Sequence, residues 1–139
     1  MRFYDRLVQW IFLICTTFLI LFASCNYVTP VGEVEDMLGV KLRGKIKYIE
    51  KQEQWMFGGD GYKIETFNVK DSFNVAGIMS NKGHHYDSEY VEHHYANSEL
   101  YPFIKQTTGL YMVDSLNNVH KQLFYDENGG KLIYYLVIF

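Results

Sequence analysis

The sequence predicts an α+β domain: an antiparallel sheet of four to six strands with one or two helices packed on one face, preceded by a signal peptide. Three observations lead there. Two pairs of β-like segments are each joined by a glycine-containing turn, the pattern of antiparallel hairpins. The last segment, Lys131-Leu-Ile-Tyr-Tyr-Leu-Val-Ile-Phe139, is apolar or aromatic at every position from Leu132 onward, which suits a central strand covered on both faces. Short stretches at helical spacing lie before and between the hairpins.

The first 24 residues belong to a different physical class. Arg2 and Arg6 precede residues 7–22, a run of sixteen in which only Gln9, Thr16 and Thr17 are polar and none is charged. Ala23-Ser24-Cys25 closes the run. A charged start, an apolar stretch and small residues before a cut site are the parts of a secretory signal peptide. A membrane-spanning helix needs about 20 apolar residues, so an uncleaved anchor suits the run less well. Phe22-Ala23-Ser24-Cys25 resembles the lipobox of bacterial lipoproteins, with Phe22 where an aliphatic residue is usual. That resemblance implies a lipid on the Cys25 thiol, cleavage before it, and a place on the cell membrane or outer membrane, facing out of the cytoplasm. The expected layout is a signal peptide over 1–24, a tether over 25–32 and a single domain over 33–139.

Composition narrows the function. The 139 residues allow one domain of ordinary size. Beyond residue 24 the chain keeps 11 basic and 15 acidic residues, net −4. That balance argues against a nucleic-acid binder, whose affinity comes mainly from Lys and Arg on phosphates. The only cysteines are Cys15 and Cys25. With one in the leader and the other acylated, the domain has no disulfide, no Cys-based zinc site and no Cys nucleophile.

The elements follow in order. Glu33-Val-Glu-Asp-Met-Leu38 sets Val34, Met37 and Leu38 at helical spacing. Its acids fall in the first turn, where the helix dipole favours them, and Gly39 is its stop. From residue 41 the period becomes two. Lys41, Arg43, Lys45 and Lys47 alternate with Leu42, Gly44, Ile46 and Tyr48, predicting a strand with a basic stripe that runs on toward Trp55. Gly58-Gly59-Asp60-Gly61 is the strongest turn signal, and residues 62–69 complete the first hairpin. Asp71-Ser72 would cap a helix carrying Phe73, Ala76 and Ile78. Residues 82–100, rich in Tyr and His, read as a helix or a long loop ended by Pro102. Residues 109–113 make a further apolar segment. Residues 121–125 and 132–139 form the second hairpin across Asp126-Glu-Asn-Gly-Gly130.

The order Phe57-Gly-Gly-Asp-Gly61, strand, then Tyr125-Asp126 and Leu132-Ile-Tyr-Tyr135 resembles small bacterial secreted and lipoprotein domains with a Gly-Asp-Gly hairpin. The resemblance implies a fold and carries no activity with it.

Four of the five histidines fall within residues 84–94. On a helix, His85, Glu89 and His93 would recur at i, i+4 and i+8, a ligand set that could hold zinc and, with an open position, activate water for hydrolysis. The plainer alternative is a solvated polar segment. The stripe of Lys41, Arg43, Lys45 and Lys47 would face anionic headgroups or envelope polymers, or simply discourage edge pairing. Neither a Gly-x-Ser-x-Gly elbow nor a Gly-Lys-Ser/Thr loop occurs, and Asp60 lacks the companion oxygens of a calcium loop. Tyr86, Tyr90, Tyr95, Tyr101 and Tyr111 lie in or beside the His-rich segment, and Trp55 and Phe57 flank the first turn. Such aromatics either fill a core or present a surface to a protein or glycan partner. The function expected is that of a lipid-anchored bacterial envelope protein with a binding or structural role, no cofactor and no catalysis. An immunity- or inhibitor-type protein and a zinc-dependent hydrolase are the alternatives.

Overall fold

The computed structural model describes residues 30–139; the expected signal peptide over 1–24, Cys25 and residues 26–29 of the expected tether lie outside the described residues. The elements run α1 (Pro30–Leu38), β1 (Ile46–Trp55), β2 (Gly61–Val69), α2 (Val75–Met79), β3 (His84–Tyr86), α3 (Ser88–Tyr95), α4 (Tyr101–Ile104), β4 (Gly109–Leu116), β5 (Val119–Asp126) and β6 (Lys131–Ile138). The strands form one six-stranded sheet in the order β1-β2-β6-β5-β4-β3, antiparallel throughout. The α+β architecture is the one expected.

The continuous apolar run of β6 places it between β2 and β5, in the interior of the sheet. Successive side chains of a strand point to opposite faces, and here both faces are covered. Leu132, Tyr134 and Leu136 join Phe67, Leu110 and Leu123 on one face, under Val34, Met37 and Leu38 of α1 and Val75 and Met79 of α2. Ile133 and Tyr135 join Ile64 and Phe124 on the other, under Tyr86, Val91 of α3, Leu100 and Ile104 of α4. Helices therefore pack on both faces, where one was expected. The cause is in β5 and β6 themselves, whose consecutive apolar residues leave no face that water could wet. Each buried Leu or Phe contributes roughly 1.5–3 kcal/mol.

Several boundaries differ from expectation for identifiable reasons. α1 begins at Pro30, so the last part of the expected tether is helical; proline's fixed φ suits a first helical turn. The strand expected from residue 41 begins only at Ile46. Gly44 has φ +73°, and the Lys45 N–H donates to the Leu42 carbonyl at 2.8 Å, closing a turn. The Leu42 N–H donates instead to Glu35 Oε1 at 2.7 Å. Leu42 is nevertheless fully buried, as its apolar alternation implied. α2 is capped by Asn74, whose Oδ1 accepts from the Gly77 N–H at 2.8 Å, rather than by Asp71. Pro102 does not end an element; it lies in the first turn of α4. A third hairpin joins β4 to β5 through Asn117 and Asn118, with Asn117 at φ 55°, a conformation asparagine tolerates better than most residues.

Candidate binding surface

The His-rich segment does not build the ligand set that its spacing suggested. His84, His85 and Tyr86 form β3, paired with Tyr111, Leu110 and Gly109. Asp87 then adopts an extended conformation as N-cap of α3, accepting from the Tyr90 N–H at 2.8 Å. The helix starts at Ser88. His85 therefore sits on a strand, while Glu89 and His93 keep their i, i+4 relation on a separate helix. Among the described residues, no group of three or more His, Cys, Asp or Glu side chains is placed to hold a metal ion. The missed signal was Asp87, a strong helix cap that divides the segment.

The tyrosines of this segment fill the second core instead. Tyr86 meets Phe124 edge-on at 5.2 Å between ring centroids, and Tyr111 stacks on Phe124 at 5.7 Å. The Tyr90 hydroxyl donates to the Tyr111 hydroxyl at 2.8 Å, and the Tyr95 hydroxyl to Gln122 Oε1 at 3.1 Å. His94 stacks on Tyr90 at 4.1 Å. Burial pushes the Tyr86 hydroxyl up to about 12, although its hydrogen bond with Thr107 Oγ1 at 2.9 Å pulls the other way. Burial also raises Tyr90, reinforced by its bond to Tyr111. These rings pack α3 onto the sheet.

The four residues of the expected basic stripe do not share a strand face. Lys41 ion-pairs with Glu35 at 3.1 Å, and Arg43 is exposed in the turn before β1. Lys45 lies 4.7 Å from the centroid of the Phe73 ring, a cation–π contact. Only Lys47 stands on β1. The Leu42 N–H, and then Lys41, hold the Glu35 carboxyl below its ordinary range. The segment fastens α1 to β1.

A charged group is buried under α1. Glu65 is 1% exposed, with Lys63 Nζ 3.5 Å from its Oε2 and 3.2 Å from Glu33 Oε2. Lys63 also lies 5.4 Å from the centroid of the Tyr134 ring. Burial holds the Glu65 carboxyl above its usual range, and Lys63 partly offsets this. Among the described residues the Tyr134 hydroxyl is buried without a hydrogen-bond partner.

Most of the exposed large apolar side chains lie at one end of the sheet, with Tyr48, Ile49 and Val113 exposed elsewhere. The strand register aligns Leu116, Val119, Ile138, Gly61 and Trp55 in one row across β4, β5, β6, β2 and β1. Beyond that row stand Met56, Phe57 and Phe139. Phe57 is wholly exposed, Leu116 is 72% exposed, Phe139 71% and Met56 68%. The β1–β2 loop is closed by the Met56 N–H on the Asp60 carbonyl at 2.7 Å and the Gly59 N–H on the Met56 carbonyl at 3.0 Å. Gly61 permits the tight return, because a Cβ there would run into the Gln54 carbonyl oxygen. A groove of about 460 Å³ adjoins the tip, lined by Met56, Asp60, Tyr62, Glu99, Tyr135 and Phe139 among others. Phe139 is pinned there by its N–H donating to the Asn118 carbonyl at 3.1 Å and by Asn118 Nδ2 donating to the Phe139 carbonyl at 2.9 Å.

Clustered large apolar side chains with no structural partner mark contact surfaces. Of the aromatics that the sequence raised as a surface, Trp55 and Phe57 are on it, whereas Tyr86 is in the core and Tyr90, Tyr95, Tyr101 and Tyr111 pack half-buried against it. No protein-family model, curated protein or solved structure significantly matches this chain. Among the described residues, no helix is long and apolar enough to cross a membrane.

Proposed function

We propose that this protein is a lipid-anchored bacterial envelope protein that works by binding, through the apolar end of its sheet, and performs no catalysis. The observation that carries the binding part is the rim of Trp55, Met56, Phe57, Leu116 and Phe139, exposed on a domain whose two cores are otherwise well covered. Removing such side chains from water is the main source of association free energy. The anchoring part rests on the apolar run of residues 7–22 and on Ala23-Ser24-Cys25, which stops five residues short of the first helix.

The experiment is metabolic labelling with a palmitate analogue in bacteria expressing the full chain, followed by membrane flotation. Wild type is expected to incorporate label and float. Cys25→Ala is expected to lose label, to remain unprocessed and to shift in size. Label retained on Cys25→Ala would overturn the anchoring reading.

A further inference from the structure

Resting on the reading of a chain anchored through Cys25, we propose that the β1–β2 hairpin tip is a membrane-contacting wedge. Trp55, Met56 and Phe57 enter the interfacial layer of the bilayer that holds the anchor.

The tether sets the distance. From Cys25 to Pro30 the chain advances five residues, at most about 18 Å when fully extended. A body held so close to its anchor works against the bilayer surface, not at arm's length from it. α1, which the tether enters, packs across the sheet between the start of β1, where Val31 lines a groove with Leu42 and Ile46, and the strands that lead to the tip. Glu33, one turn into α1, ion-pairs with Lys63 at 3.2 Å. Lys63 stands opposite Glu53, two residues before Trp55.

The chemistry of the tip favours lipid over a protein pocket. Residues 54–59 (Gln-Trp-Met-Phe-Gly-Gly) carry no charge. Trp is a preferred residue of the membrane interface, and Phe partitions into it with a large gain in buried apolar area. Phe57 projects wholly clear of the fold. A fluid apolar layer accepts such a tip without a complementary cavity, whereas a protein partner would have to supply one. Phe139 and Leu116 extend the same end of the sheet. Glu53 and Asp60 flank the tip and must stay hydrated, so the contact is shallow.

Trp10 and Trp55 are the only tryptophans, which makes a direct readout possible. The protein is expressed from the full sequence with Trp10→Phe, so that any uncleaved chain adds no tryptophan signal, recovered from bacterial membranes in its processed, acylated form, and reconstituted in vesicles of phosphatidylethanolamine and phosphatidylglycerol, with and without bromine on the acyl chains. Flotation is measured on the same samples. The expected result is a blue-shifted Trp55 emission, weaker by about twofold in the brominated vesicles. Adding Phe57→Asp and Met56→Asp, at sites too exposed to affect folding, is expected to abolish the quenching and leave flotation unchanged. Floating protein with an unquenched, water-exposed Trp55 would overturn the wedge while leaving the anchor intact, and would assign the tip to a protein partner. Failure to float would overturn the anchor and the wedge together.

Discussion

Replacing Lys63 by Met tests the reading of the buried charge under α1. Glu65 is 1% exposed, and Lys63 is the cation placed between it and Glu33. With the ammonium removed, the buried Glu65 carboxyl and the half-buried Glu33 carboxylate are left with no cation between them. Breaking a buried pair in this way costs about 3–5 kcal/mol, because an uncompensated charge is left behind. That is a large part of the roughly 5–15 kcal/mol that stabilises a typical domain. For a domain of about 110 residues it corresponds to a fall in Tm on the order of 12–20 °C. The pH dependence has a definite sign. The Glu65 carboxyl is held above its usual range by burial, so the folded state binds its proton more tightly than the unfolded chain does. Its contribution to stability is greatest at low pH. It declines as pH rises from the ordinary Glu value of about 4.3 through the raised folded value. Without Lys63 that decline is steeper, so Lys63→Met is expected to be mild near pH 4 and severe at pH 7. Glu65→Gln added to Lys63→Met removes the stranded charge and is expected to recover more than half the loss. Thermal and urea unfolding followed by circular dichroism at the two pH values provides the assay. A loss under about 1 kcal/mol at pH 7, or an equal loss at both pH values, would refute the reasoning.

Four further outcomes are expected. Tyr134→Phe removes a buried hydroxyl that has no hydrogen-bond partner among the described residues, so urea unfolding is expected to show a change within about 0.5 kcal/mol or a gain; a loss above about 1.5 kcal/mol would reveal a partner. Thr107→Val strands the Tyr86 hydroxyl, which it bonds at 2.9 Å, and is expected to cost about 1–3 kcal/mol in the same assay. Absorbance titration at alkaline pH is expected to show Tyr86 ionising near 12, later than an exposed tyrosine at about 10. Because the raised value means that the folded state retains the proton, stability is expected to fall as pH rises from about 10 through 12. Titration of every tyrosine near 10 with the fold intact would contradict the packing of β3. Zinc or a chelator is expected to leave the melting temperature unchanged, since His85 is on β3 and Glu89 and His93 are on α3; a rise of several degrees with zinc would reinstate the metal reading.

Much of the sheet could be read from the chain because its signals are local and strong. The Gly-Gly-Asp-Gly turn fixes the β1–β2 hairpin, and the unbroken apolar run of β6 implies its interior position. What failed to show depended on single residues whose effect is tertiary. Gly44 turns the backbone at φ +73° inside a pattern that otherwise alternates like a strand, and so disperses the basic stripe. Asp87 caps a helix in mid-segment and separates His85 from Glu89 and His93. The tyrosines could not be divided between core and surface by type alone. Tyr86, Tyr90 and Tyr111 become core because β3 and α3 fold over Phe124, whereas Phe57 stays exposed because its loop projects beyond the last strand pair. Asn117-Asn118 formed a hairpin with no glycine to announce it. The apolar rim is built from three places distant in sequence, around residues 55–57, at 116 and at 139. Only the strand register assembles them.

The anchor is tested most directly by peptide mass spectrometry of the full chain recovered from bacterial membranes. Trypsin cuts next after Lys41, so the account predicts an N-terminal peptide of residues 25–41 that begins at an acylated Cys25. A peptide running through Ser24 into an unmodified Cys25 would contradict it.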